Sequence, residues 1–207
     1  MPDSYLTPVA RKAFNQAIAH CEGCSAAEIV VAVRGRAHGY LHVHLIIGIA
    51  TALATIATLL YSPWPFPYWS FLVDPLLLGG LVGGGVGQFT AVRRLLTPAA
   101  VRQRWVERDA LATFAEKRIA DTEGRTGVLV YLGLTERRCA VVADRGVREA
   151  APAEAWAAAV DAVAARFRAG GDGLAVAREI ERLGECLKVV LPRGEHDVNE
   201  LPDEICT

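Results

Sequence analysis

The chain has 207 residues, 52% of them hydrophobic, with 22 Lys or Arg against 23 Asp or Glu and a net charge of −1. That balance gives no global reason to expect a nucleic-acid partner. The mean hydropathy of +0.26 is high for a soluble domain, and the five cysteines have no disulfide-scaffold spacing, which fits reduced cytosolic thiols.

The opening MPDSYLTPVARKAF lacks a basic start followed by an apolar stretch, so no signal peptide is expected ahead of the apolar runs. Residues 7–20 carry Val9, Ala13, Phe14, Ala17 and Ile18 near helical spacing. Thr7 is the expected N-cap and Pro8 the first helical residue, with Gly23 as the stop. Residues 28–33, EIVVAV, form a short β-branched run and predict a buried strand.

Two apolar runs follow, residues 41–61 and 71–92, separated by the Pro- and Trp-rich loop 62–70. Each is about 20 residues, and at roughly 1.5 Å per residue it covers roughly 30 Å of hydrocarbon. Neither run holds Lys, Arg or Glu, and the second holds only Asp74. A transmembrane helical hairpin is the expectation. Arg34 and Arg36 precede it, Arg93 and Arg94 follow it, and the loop between has no basic residue. The positive-inside rule then places both termini in the cytoplasm. Those four arginines are candidate membrane-surface anchors on anionic headgroups, with Trp64 and Trp69 as anchors on the outer side. The expected setting is the bacterial cytoplasmic (inner) membrane, crossed twice.

Beyond the hairpin, residues 98–119 predict a long helix, and GVLVYL at 127–132 a second strand. Thr135, Glu136 and Arg137 make a turn into a third strand over 138–144. The second and third strands lie too close for a crossover and pair antiparallel. The first and second, joined through a helix, pair parallel. Residues 152–169 and 173–187 are further helices. The fold class expected is a small α/β sandwich with a mixed central sheet flanked by helices, interrupted by the two-helix hairpin. Residues 1–40 and 93–191 make one discontinuous cytoplasmic domain, 41–92 the hairpin, and 192–207 a polar tail.

Glycines crowd the second membrane run. Gly79/Gly83, Gly80/Gly84 and Gly83/Gly87 each satisfy small-xxx-small, a pattern that lets helix backbones approach where lipid supplies no hydrophobic drive. Packing inside the hairpin against Ala50, Ala54 and Ala57 is one use, and self-association is the other. His38, His42 and His44 stand at the entry of the first run. His42 and His44, two apart on a helix, point about 200° from one another and cannot share an ion. HCEGC at 20–24 contains one Cys-x-x-Cys, which supplies two metal ligands where zinc needs about four, so no metal site is assigned. No serine lies in a G-x-S-x-G elbow. The remaining polar cluster is Asp121 and Glu123 before the second strand, Glu136 in the turn, and Asp144 and Arg145 after the third. Asp121, Glu136, Asp144 and Arg145 are candidate ligand-binding residues, since acids there can hold a divalent cation and Arg145 an anion.

The pieces AEIVVAV, RTGVLVYLGLTERRCAVVADRGV, the helix around Trp156, FRAGGDGLAVAREIERLGECL and the final VNELPDE together resemble the TPM-domain family, in membrane-bound bacterial form. The resemblance covers essentially all of the chain outside the hairpin and implies an α/β sandwich with a mixed sheet. It implies an accessory or maintenance factor for membrane complexes, as members in photosystem II repair and receptor-auxiliary roles are. It also offers acid-phosphatase activity and calcium-type sites, ascribed to some members. The chain departs from the commoner pattern in Asp144-Arg145-Gly146, where Gly-Tyr-Gly is usual, and in an acidic run reduced to Asp121 and Glu123. The leading expectation is a non-enzymatic interaction module, with the bilayer and either a second copy or another membrane protein as partners. The alternative is a metal-assisted, acid phosphatase-like hydrolase. No cofactor is required, a divalent cation being the one candidate.

Overall fold

A computed structural model of the chain describes residues 5–37, 39–122, 124–194 and 205–206. Two compact units result: residues 1–37 with 102–207, and residues 38–101.

The first unit is built on a three-stranded mixed sheet of order β1-β2-β3. Strand β1 (Glu28–Arg34) runs parallel to β2 (Gly127–Gly133), with Ile29 opposite Val128 and Val33 opposite Leu132. Strand β3 (Arg138–Ala143) returns antiparallel, pairing Gly133 with Arg138 and Val128 with Ala143. Both pairings follow from connection length: a long excursion separates β1 from β2, and only a short turn separates β2 from β3.

β1 and β2 are buried on both faces because helices cover both. On one face Ile29, Val31, Val33, Val128, Val130 and Leu132 meet α1 (Pro8–Cys24), α7 (Ala153–Arg168) and α8 (Gly173–Val190). Phe14 and Ile18 come from α1, Phe167 from α7, and Ile180, Leu183 and Leu187 from α8. On the other face Val30, Ala32, Leu129 and Tyr131 meet Val106 and Ala110 of α5 (Ala99–Glu116), with Ile119 beside them. The period-2 alternation of the strands therefore feeds two cores at once.

Local signals explain the starts of α1 and α8. Thr7 caps α1, accepting from the Ala10 N–H at 3.2 Å, and Pro8 follows it. Asp172 caps α8 by accepting from the Ala175 N–H at 2.9 Å. One expectation is corrected here: Gly23 does not end α1, which runs on to Cys24 and closes with the Ser25 N–H on the Cys21 carbonyl at 2.9 Å. A glycine costs about 1 kcal/mol inside a helix relative to alanine, and the anchors Cys21 and Ile18 on the core face outweigh that.

The second unit pairs α2 (Leu41–Tyr61) with α3 (Ser70–Val86). Gly48 lies against Gly79 and His44 against Gly83, so the helices run antiparallel. The expected second helix over 71–92 is not continuous. It stops at Val86 and resumes as α4 (Thr90–Leu96), bent by 103°. The glycines at 79, 80, 83, 84, 85 and 87 leave that end with little intrinsic helix preference. Phe89 then adopts an extended conformation that begins the new helix. Among the described residues, α2 alone is long and apolar enough to cross a membrane unbroken.

Of the expected tail over 192–207, residues 195–204 and 207 lie outside the described residues. Cys206 pairs on the edge of β1, its N–H donating to the Val31 carbonyl at 2.9 Å.

Candidate functional site

Glu136 stands apart from Asp144 and Arg145 in the expected ligand cluster. Glu136 sits at the turn end of the β2–β3 hairpin and Asp144 beyond the far end of β3. The six residues of β3 set them about 20 Å apart at roughly 3.3 Å per residue. Glu136 is fully buried, with Oε1 accepting from the Ala37 N–H at 3.3 Å. Its own carbonyl accepts from Arg102 Nη1 at 2.5 Å. The same turn holds β1's exit: Thr135 Oγ1 donates to the Gly35 carbonyl at 2.7 Å, and the Leu134 N–H donates to the Arg34 carbonyl at 2.9 Å. Glu136 is thus a latch inside the first unit rather than an exposed ligand.

Asp144 has a helix-capping role that the sequence reading missed. Its Oδ1 accepts from the Arg145 N–H at 2.7 Å and starts α6 (Arg145–Ala150). Its Oδ2 is buried with no hydrogen-bond partner among the described residues. Arg145 turns to Glu149 at 2.6 Å, and Asp121 to Arg118 at 2.6 Å, both as exposed pairs along the chain, the kind that contributes little. Glu123 lies outside the described residues.

The membrane-facing candidates divide. Trp64 and Trp69 are 74% and 62% exposed. Arg36 and Arg94 are accessible to different degrees, and Arg34 ends β1. Arg93 is a correction: it is buried, not splayed toward headgroups. Its Nε donates to the Gly87 carbonyl at 2.8 Å, closing the C-terminus of α3 where a cation is favoured. Nη2 donates to Gln88 Oε1 at 3.0 Å, and the guanidinium lies 5.4 Å from the Tyr40 ring centroid. The α3–α4 corner is therefore built around Arg93.

The glycines divide as well. A side chain on Gly79 would meet the Gly48 carbonyl and Ala52, and one on Gly83 would meet the His44 carbonyl. Gly87 meets the His44 ring. Gly80 and Gly84 face open space. Contact within the pair comes from Gly48 and Ala52, while Ala50, Ala54 and Ala57 are exposed, so the phase of α2 differs from the expected one by about half a turn. A shallow groove lies here, lined by His44, Gly48, Ala52, Pro75, Gly79 and Gly83 among others. The imidazoles separate as their spacing predicts. His44 Nδ1 lies 2.9 Å from the Gly83 carbonyl and His42 Nε2 lies 3.0 Å from Thr97 Oγ1. His38 lies outside the described residues.

The apolar helices expose most of their surface. Only 11% of the apolar window of α2 is buried, at a mean hydropathy of 2.2. Leu45, Ile49, Leu53 and Leu60 on α2, with Leu72, Leu76 and Leu81 on α3, are all more than half exposed.

A further cluster forms between α1 and α8. Because α1 continues through Gly23, His20 and Cys24 stand four residues apart on one face. Glu185 of α8 faces them, with Oε1 2.8 Å from His20 Nε2. The ligand atoms of the three lie within 4.8 Å of one another. Cys21, the other half of the Cys-x-x-Cys, points into the core and donates to the Ile180 carbonyl at 3.4 Å. Burial pushes its thiol up to about 12. The i,i+4 spacing of His20 and Cys24 was readable in the sequence. Glu185, from a distant helix, carried no signal.

No protein-family profile matches this chain, and no curated protein matches it. Among solved structures it is similar to the NMR structure of BA42 protein from the psychrophilic bacterium Bizionia argentinensis, with a TM-score of 0.57 and 16% identity over 97% of this chain and 93% of that one. At that identity the likeness concerns the fold.

Proposed function

We propose that this chain is a membrane-anchored interaction module: a TPM-like α/β domain, facing the cytoplasm, that serves as a non-enzymatic accessory or maintenance factor for membrane proteins. The observation that carries the reading is the exposure of α2. A 21-residue helix whose apolar window has a mean hydropathy of 2.2 and is only 11% buried is a poor element for water, because soluble monomers rarely expose contiguous apolar patches beyond a few hundred Å². Lipid is the solvent that suits it. In this reading α2 crosses the inner membrane and α3, with 17 residues, returns through about 25 Å at roughly 1.5 Å per residue. α4 then turns along the surface, where Arg94 meets headgroups. Trp64, Tyr68 and Trp69 lie at the opposite interface.

The partner role is supported by Gly80 and Gly84, which remain open after α2 and α3 have packed, and by the family resemblance. A hydrolase has less to stand on, because Asp144 is separated from Glu136 by the length of β3.

Alkaline carbonate extraction of membranes containing the full chain tests the anchor. Retention in the pellet supports it, and release into the supernatant overturns it. Crosslinking in intact membranes from a cysteine placed at Gly84, against one at Gly83, tests the partner role. Specific adducts from position 84 support an interaction module. A monomer with background adducts only from both positions counts against it.

A further inference from the structure

We propose that His20, Cys24 and Glu185 form a binding site for a zinc-class divalent transition-metal ion, tying α1 to α8.

Three kinds of donor meet: an imidazole nitrogen, a thiol sulfur and a carboxylate oxygen, all within 4.8 Å of one another. In a tetrahedral zinc site with bonds of roughly 2.0–2.3 Å, neighbouring ligand atoms stand roughly 3.3–3.8 Å apart. Small rotamer adjustments close that difference, and the present 2.8 Å contact of His20 Nε2 with Glu185 Oε1 opens slightly to admit the ion. Sulfur and nitrogen donors favour zinc-like metals over calcium or magnesium, which take oxygen.

The supporting helices are closely packed. α8 crosses α1 with Gly184 against Cys21, where any side chain on the glycine would collide with the cysteine. Ile180, Leu183 and Leu187 are fully buried on the same helix. Glu185 follows Gly184 directly, so the closest approach of the two helices is what delivers the carboxylate to His20 and Cys24. A plain surface ion pair between His20 and Glu185 has no need of Cys24. In the metal-free chain the Cys24 thiol donates to the Cys21 carbonyl at 3.3 Å, and metal binding exchanges that weak bond for a metal–sulfur bond.

The binding step balances simply. Cys24 releases its S–H proton to solvent as the metal–sulfur bond forms. His20 enters as neutral imidazole through Nε2, and Glu185 gives one carboxylate oxygen. The thiolate and carboxylate together offset the dication, and water fills the fourth position. Lys188, with Nζ 3.9 Å from Glu185 Oε2, swings away on its flexible stem.

The test uses the tag-free full chain in detergent, stripped with chelator and titrated with Co2+, then with Zn2+. Expected are one Co2+ per chain, a near-ultraviolet thiolate-to-cobalt charge-transfer band, the intense visible bands of tetrahedral cobalt, and their loss on adding one equivalent of Zn2+. Cys24→Ser should abolish the charge-transfer band. His20→Ala and Glu185→Gln should each weaken binding about tenfold or more, and Cys186→Ser should leave it unchanged, with circular dichroism confirming the fold of each variant. A wild-type spectrum without the thiolate band, or a band that survives Cys24→Ser, overturns the proposal.

Discussion

The buried carboxylate of Glu136 accepts the N–H of Ala37 at 3.3 Å, while the backbone carbonyl of the same residue accepts from Arg102 at 2.5 Å. Ala37 is the last residue of the first unit before the chain leaves it, and Arg102 is the first after the chain returns. One turn residue therefore holds both ends of a 64-residue excursion (38–101). That arrangement limits the loop entropy felt by β1 and β2, which must pair parallel across it.

Removing the side chain leaves the part-buried Ala37 amide without that acceptor and opens a void where a buried side chain stood; an unsatisfied amide costs about 1–3 kcal/mol when fully buried and less when partly wet. Glu136→Ala is expected to lower the stability of the first unit by about 1 kcal/mol. Glu136→Gln, which keeps an oxygen in place, should lose less. Thermal unfolding of the full chain measures both, and equal stability of wild type and Glu136→Ala would refute the latch.

Gly83 and Gly80 make a second comparison. A side chain at Gly83 meets the His44 carbonyl and the Gly48 backbone, while one at Gly80 meets nothing within 4 Å. Gly83→Val is expected to push α2 and α3 apart at about 1–3 kcal/mol, the usual cost of overpacking. Gly80→Val should leave the pair intact and weaken only contacts made by its outer face. Crosslinking between cysteines introduced on α2 and α3 reports the first effect, and crosslinking between copies the second. If both variants behave alike, the division of the glycines into inner and outer faces is wrong.

The contrast between those glycines shows where sequence reading stops. Small-xxx-small spacing announces a close-packing face, but Gly79/Gly83 and Gly80/Gly84 satisfy it equally, and only the helix partner decides which turns inward. The strands were legible because EIVVAV and GVLVYL are continuous apolar runs and the lengths between strands dictate their direction. α6 was not, since Arg145–Ala150 is six residues long and shows no period. Its one signal was Asp144 in the N-cap position. Arg93 looked like any flanking arginine, and its burial depends on a 103° corner that no local pattern encodes. Of the metal-ligand cluster, His20 and Cys24 were visible as a helical pair, whereas Glu185 joins them only through packing at Gly184.

Leu53 offers a direct test of the lipid setting. It lies mid-way along α2 and is 62% exposed. In water, a surface Leu→Arg exchange is close to neutral, within about 0.5 kcal/mol. At the centre of a membrane helix, arginine costs about 2.5–3.5 kcal/mol on insertion scales. Leu53→Arg is therefore expected to reduce the membrane-integrated fraction sharply while leaving the first unit folded. A glycosylation-based insertion assay measures it, and unchanged integration would remove lipid as the explanation for the apolar surface.

Alkaline pH gives the last prediction. Burial pushes the thiols of Cys21 and Cys139 up to about 12, from an ordinary value near 9. Burial also raises the phenols of Tyr5 and Tyr131, the latter further by its hydrogen bond to Asp109. For each group the folded state holds its proton over a range where the unfolded state has lost it. With fewer protons bound in the unfolded chain, stability falls as pH rises. The contribution of the thiols is complete below about pH 9 and is lost progressively from there to about pH 12. Chemical denaturation is expected to give nearly constant stability from pH 7 to about pH 8.5 and a steady decline above it. Alkylation should show the same asymmetry at pH 8. Cys186, at the surface of α8 and half-buried, should react first, and Cys21 and Cys139 only on unfolding. Rapid labelling of Cys139 in the folded chain would contradict its burial on the core face of β3. A flat stability curve up to pH 11 would show that these four groups do not lose their protons preferentially on unfolding.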